Sequence, residues 1–236
     1  FAFFIRAYNI GYDNLWFDEI SSFWVSDPRI SLEESLTRHN NIEKTPFLYF
    51  SILKINFQLF SYDSIIGRYL SLFFNILGII FSVLICRLIK KNSAYILALF
   101  IFSTNIFLIN YSQELRVYSL VFFLSSIYLY LFLKINNFSN NQKFDKFYFI
   151  LISLILTLLL ISHQFSLIIF FSTAIFLCFK YLFKKPNSKT LIYNFYFGAF
   201  FSLIYIFFSI KNFGSSPSWI VQPDLKFYTN FYFSKF

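Results

Sequence analysis

"SIIGRYLSLFFNILGIIFSVLICRLIKK" runs from Ser64 to Lys91, and its reading decides the fold. From Ile65 to Cys86 the stretch carries one charge, Arg68. A helix needs about 20 mostly apolar residues to cross a bilayer, so 65–86 is predicted to span. Arg87, Lys90 and Lys91 follow at once, the basic signature of a cytoplasmic helix end. The same reading predicts apolar segments at 1–10, 94–110, 115–133, 147–162, 164–183 and 190–210. The run 147–183 is too long for one helix, and "ISHQF" around His163 predicts a tight turn. Composition agrees. The chain is 58% hydrophobic and 13% charged, about half the charge of an ordinary soluble domain, and its mean hydropathy is +0.62. An all-α polytopic membrane protein is expected.

Segment 46–60, "PFLYFSILKINFQLF", is apolar but short, and it carries Lys54, Asn56 and Gln58. Orientation resolves it. The basic clusters Arg87/Lys90/Lys91, Lys134/Lys143/Lys146 and Lys180/Lys184/Lys185/Lys189 fall on one side only if 46–60 does not cross. It is therefore read as a helix lying on the outer membrane face. Ten acids, from Asp13 to Asp224, then fall outside, and Asp145 alone falls inside. The expected organisation is the tail of a first helix at 1–10, an outer loop with surface helices at 11–64, six spans over 65–210, and a further outer loop from 211 to 236. The chain opens at Phe1 inside an apolar run, contains no Met and ends in "FYTNFYFSKF", so a fragment truncated at both ends is expected.

The net charge of +9 is explained by these topology signals and needs no nucleic-acid partner. Cys86 and Cys178 lie in or at the ends of apolar runs, forming neither a disulfide frame nor a zinc pattern. No Walker loop, Rossmann glycine pattern, HExxH or GxSxG occurs. With five glycines there is little material for phosphate-cradling loops, so no nucleotide cofactor is expected.

Candidate chemistry gathers in the outer segments. In "LWFDEISSFW" (15–24), Asp18 and Glu19 stand side by side among aromatics. A solvated loop pair is the plain reading. Against it, ionised carboxylates near the membrane surface are costly without partners, and partial desolvation makes a carboxylate a better general base. In "YSQELRVYS" (111–119), Glu114 and Arg116 interrupt apolar helix ends. Either they form an interfacial ion pair, or Arg116 offers a bidentate phosphate site. Tyr111 lies beside them. His39, with Glu43 and Lys44 before Pro46, reads as capping and anchoring or as part of a substrate site. His163 reads as a structural turn histidine or a ligand. Arg6 and Arg68, near helix ends, are explained by snorkelling.

In order, the pieces are an Arg in the first helix, "LWFDE", a His, "EKTPFLYF", "FSYDSIIGRYLSLFFNILGIIFSVLICRLIKK", "INYSQELRVYSLVFFLSS" and "SHQFSL". This succession resembles polytopic glycosyltransferases of the GT-C type, nearest to the bacterial relatives of protein O-mannosyltransferases and lipid A aminoarabinose transferases. The resemblance implies a sugar donor carried on polyprenyl phosphate, an acceptor on the outer face of the bacterial plasma membrane, and no nucleotide sugar. It implies Asp18 as base, Glu19 positioning the acceptor or Asp18, and inversion at the anomeric carbon. Lys44 and Arg116 would meet the leaving phosphate, with Glu114, Tyr111 and His39 as further binding residues. It also implies a divalent metal shared by Glu43 and His163. The chain departs from the resemblance at Thr45-Pro46, where relatives usually carry two prolines. A transporter or flippase for lipid-linked saccharides is the main alternative. A non-catalytic scaffold is the third.

Overall fold

A computed structural model describes residues 1–42, 45–89, 94–136, 146–183, 192–193, 195–200 and 202–203. Among these the chain is helical, with no strand. The helices are α1 (Ala2–Ala7), α2 (Phe17–Val25), α3 (Leu32–Ile42), α4 (Leu48–Leu59), α5 (Ser64–Ile89), α6 (Ala94–Thr104), α7 (Ile106–Ser112), α8 (Tyr118–Asn136), α9 (Lys146–Leu160) and α10 (Ser166–Leu182). Two, α5 and α8, are by themselves long and apolar enough to cross a membrane, and a third span arises if the bent pair α6–α7 counts as one. These helices make it a membrane-associated protein. α9 and α10 are shorter apolar helices, and much of 190–210 and all of 211–236 lie outside the described residues.

The bundle is organised on α5. Gly67, Ser71, Asn75, Gly78 and Ser82 are all buried, and their spacing of three and four places them on one helix face. Small residues on such a face let helices approach closely. α8 lies against it in the same direction: Asn75 Nδ2 reaches Ser119 Oγ at 3.5 Å, and the Ser82 and Ser126 hydroxyls meet at 3.0 Å. A Cβ built on Gly67 would sit 2.2 Å from Leu115 Cδ1, and one on Gly78 2.4 Å from Phe122 Cδ1. α9 turns back along α8, where Lys134 Nζ donates to the Tyr148 hydroxyl at 3.0 Å. α10 then returns, and Lys180 donates to Asn136. Lys134 and Lys180 thus meet at one end of the bundle. The turn after α9 at His163 reaches Tyr118 at the other end, with ring centroids 5.8 Å apart. The predicted turn at "ISHQF" therefore forms.

The expected single span 94–110 is broken. α6 and α7 meet at 58° because the Asn105 side chain accepts the Leu108 N–H at 3.0 Å and caps a new helix. A break frees carbonyls at the end of the first helix. Arg6 answers them, donating to Phe102 O and Ser103 O at 2.9 Å each and to Asn75 Oδ1 at 2.8 Å. Asn75 in turn donates to Leu108 O at 3.0 Å. Arg6 is fully buried, which corrects the snorkelling reading: its guanidinium caps a broken helix inside the protein instead of reaching the surface.

Segment 46–60 becomes α4. Its 12 residues rise about 18 Å, short of the roughly 30 Å hydrocarbon layer. Tyr49, Phe50, Leu53 and Phe57 bury one face. Lys54, which looked out of place in an apolar run, is buried too: its ammonium caps the turn after α2, donating to Asp27 O and to Ile30 O. Ser26 and Tyr62 close the same small unit by donating to Phe50 O and Phe23 O. α2, α3 and α4, the helices of the expected outer segment, are thus packed against one another.

Candidate functional site

Glu19 and Asp18 are neighbours in sequence with opposite surroundings. Both lie in the first turn of α2, where carboxylates favour the helix N-terminus. Successive helical residues point about 100° apart, so one of the pair turns inward. Glu19 does: it is 1% exposed. Its Oε1 accepts from Arg68 Nε at 3.0 Å and from the Leu115 N–H at 2.8 Å, and its Oε2 accepts from Arg68 Nη2 at 2.8 Å. Trp16 N donates to the same oxygen at 3.4 Å. Arg68 also donates to Ile10 O and Asp13 O, both at 2.9 Å. One ion pair thereby joins α2, α5, the turn before α8 and the chain after α1.

Arg68 therefore does not snorkel. It is 5% exposed and lies on the same face as Gly67 and Ser71. That stripe of small residues was the available signal that this helix face meets protein rather than lipid.

Asp18 faces outward. Its carboxylate is 29% exposed and lies 3.4 Å from Arg116 Nη2, whose side chain is 11% exposed. Arg116 Nη1 also donates to Asp18 O at 3.3 Å. The Leu115 N–H held by Glu19 sets this register, because it fixes the residue before Arg116 against α2. The Arg116 guanidinium lies 5.9 Å from the Tyr118 ring. Tyr118 in turn lies 4.8 Å from the Tyr111 ring and 5.8 Å from His163. Asp18, Arg116, Tyr111 and His163 are therefore gathered at one end of the bundle.

Beside them opens a cleft of about 390 Å³. Asn9, Asn14 and Asn110, the acids Asp13 and Glu114, and Trp16 line it, and the Glu19–Arg68 pair forms part of its wall. Asn9 takes φ 54°, a left-handed turn that Asn tolerates. Gln113 ties the rim, its amide donating to Arg6 O at 3.0 Å and Tyr8 O at 2.9 Å. Burial pushes the Glu114 carboxyl above its ordinary range; the nearby Glu19 charge adds to this and Arg116 opposes it.

His39 sits elsewhere. It is buried between α3 and α4, with its ring 4.7 Å from Phe50 and 5.3 Å from Phe47, which is the anchoring reading of that residue. Glu43 and Lys44 lie outside the described residues. The expected metal pair rests on Glu43, which lies outside the described residues. No cluster of three His, Cys, Asp or Glu that could hold an ion occurs among the described residues. His163 Nδ1 accepts the Phe165 N–H at 3.1 Å, which leaves its proton on Nε2 and suits a donor better than a metal ligand.

No protein-family model, curated protein or solved structure matches this chain.

Proposed function

We propose that the protein is a membrane glycosyltransferase that moves a sugar from a polyprenyl-phosphate carrier to an acceptor hydroxyl on the outer face of the bacterial plasma membrane. The observation that carries this reading is the division of labour between adjacent carboxylates. Glu19 is locked in a buried ion pair, and that pair presents Asp18, solvent-reached and matched to one arginine, beside a polar cleft.

The arrangement suits inverting transfer. Asp18 takes the proton of the acceptor hydroxyl as the oxygen attacks the anomeric carbon, and the bond from that carbon to the phosphate oxygen breaks on the opposite side. Protonation neutralises Asp18 and weakens its pairing with Arg116 at the moment the phosphate gains charge. A guanidinium beside the leaving group stabilises it where charge develops. The resemblance makes Lys44, outside the described residues, a second cation for this phosphate, and Tyr111 and Glu114 line the approach. Glu19 acts through position, not by touching substrate. The gathering of Lys134 and Lys180 at the opposite end of the bundle supports the outward orientation of the Asp18 end.

One observation favours a transporter of lipid-linked saccharides instead: the α6–α7 break beside a buried arginine, since broken helices with ionisable residues mark transport sites. Here, however, the break is closed by protein. Asn105, Arg6 and Asn75 bond its free groups, and the cleft lies at the bundle end. Proteoliposomes containing the protein and a radiolabelled polyprenyl-phosphate hexose, supplied with envelope extract as acceptor, separate the two readings. Label passing to the extract supports transfer. Label that crosses the bilayer still attached to its lipid replaces that reading with transport.

A further inference from the structure

The cleft beside Asp18 holds four amide-bearing side chains, an indole and an unbalanced set of charges. Among the described residues its lining cation is Arg68, which is neutralised by Glu19 and already donates to Glu19, Ile10 and Asp13. It is therefore no receptor for an incoming anion. Asp13 is exposed, and Glu114 is half-buried. Neither has an ion pair among the described residues, and Arg116, outside the lining, faces Asp18. Among the described residues around the cleft, Asp13, Asp18, Glu19 and Glu114 stand against Arg68 and Arg116, a surplus of two negative charges. In a concave site such a surplus is focused on whatever enters. The volume of about 390 Å³ lies in the range of small-molecule pockets, roughly 300–1,000 Å³. Amides, carboxylates and one aromatic face are suited to hydroxyls and C–H faces, not to phosphate.

We propose that this cleft receives an uncharged, hydroxyl-bearing group of the substrate, and that Asp13 and Glu114 make it reject anionic ones. The chemistry splits in two on this surface: the phosphate belongs at Arg116, and a neutral polyol belongs in the cleft. Acidic sugars are excluded by charge, not by size. The biological meaning rests on the transferase reading above, but the property itself is measurable without any transfer.

Trp16 lines the cleft and supplies the probe. The full chain carries three tryptophans, so Trp24→Phe with Trp219→Phe leaves Trp16 as the sole indole. In detergent at low salt, its fluorescence is quenched with iodide, caesium and acrylamide. Glu114→Gln, or Asp13→Asn, is expected to raise iodide quenching about two- to threefold, the effect of removing one nearby unit charge in a largely aqueous setting. Acrylamide quenching stays unchanged and controls for altered exposure or misfolding. Methyl glucoside is expected to shift Trp16 emission saturably. Glucuronate is expected to do so only in the Asp13→Asn, Glu114→Gln double variant. The proposal is overturned if glucuronate acts on the wild type as well as methyl glucoside does, if methyl glucoside has no effect, or if iodide quenching ignores both substitutions. Charge selection that persists in a protein transferring no sugar would count against the transferase reading and leave this one standing.

Discussion

Glu19→Gln is expected to damage the fold far more than Asp18→Asn, although the residues are adjacent and the changes chemically identical. Glu19 is 1% exposed and its partner Arg68 6%. The amide keeps one acceptor oxygen and turns the other position into a donor facing donors, either Arg68 Nη2 and Trp16 N or Arg68 Nε and Leu115 N. It also leaves the Arg68 charge buried without compensation. Removing one partner of such a pair costs about 3–5 kcal/mol. Asp18 and Arg116 are more open and 3.4 Å apart, so losing that pair costs roughly 0–1 kcal/mol. For a chain of this size the larger cost lowers a thermal midpoint by on the order of 10 °C. The assay is thermal unfolding in detergent of both single variants, Arg68→Gln, and the Glu19→Gln/Arg68→Gln double variant. The double variant, with no stranded charge, is expected to be less destabilised than the sum of its singles by more than about 1 kcal/mol. Equal shifts for Glu19→Gln and Asp18→Asn, together with additive singles, would refute the clasp.

Three further outcomes are expected. Gly78→Ala forces the Phe122 ring out of its 2.4 Å approach and should cost about 1–3 kcal/mol as overpacking does, read as a lower midpoint in the same unfolding assay; an unchanged midpoint would count against the close α5–α8 face. Arg6→Leu strips donors from Phe102 O and Ser103 O, at about 1–3 kcal/mol for each unsatisfied carbonyl. Labelling of an Asn105→Cys probe should then rise, and unaltered labelling would mean that Arg6 does not hold the break. Glu114→Gln should stabilise the protein near neutral pH. Because the Glu114 carboxyl is raised above 4.5, its ionised form is penalised in the fold at high pH, and that penalty fades as pH falls through the folded value toward 4.5. The stability gap between variant and wild type should therefore close on acidification, and a widening gap would reverse the sign.

How much of this is legible in the sequence depends on what kind of signal a residue gives. The spans at α5 and α8 and the turn at His163 follow from long apolar runs and one polar interruption. The exclusion of 46–60 as a span follows from charge sidedness, and α4 is too short to cross. Asn105 escapes notice because one amide barely changes a hydropathy average, yet its side chain caps a helix. Arg6 and Arg68 are read outward because a charge near a helix end has a cheap route to the surface. Only the small residues around Arg68 on α5 point the other way. Asp18 and Glu19 are found together as a pair, but which one faces solvent depends on where α2 docks, and that is set by contacts 49 and 96 residues away.

The most direct test of the central claim compares wild type, Asp18→Asn and Asp18→Glu in membranes at equal protein level, with radiolabelled polyprenyl-phosphate hexose as donor. Asp18→Asn is expected to keep its stability within about 1 kcal/mol of wild type and to lose transfer by about 10²–10⁴-fold, with Asp18→Glu retaining part of the activity. Transfer by Asp18→Asn at the wild-type rate would contradict it, leaving Asp18 a surface acid paired with Arg116 and nothing more.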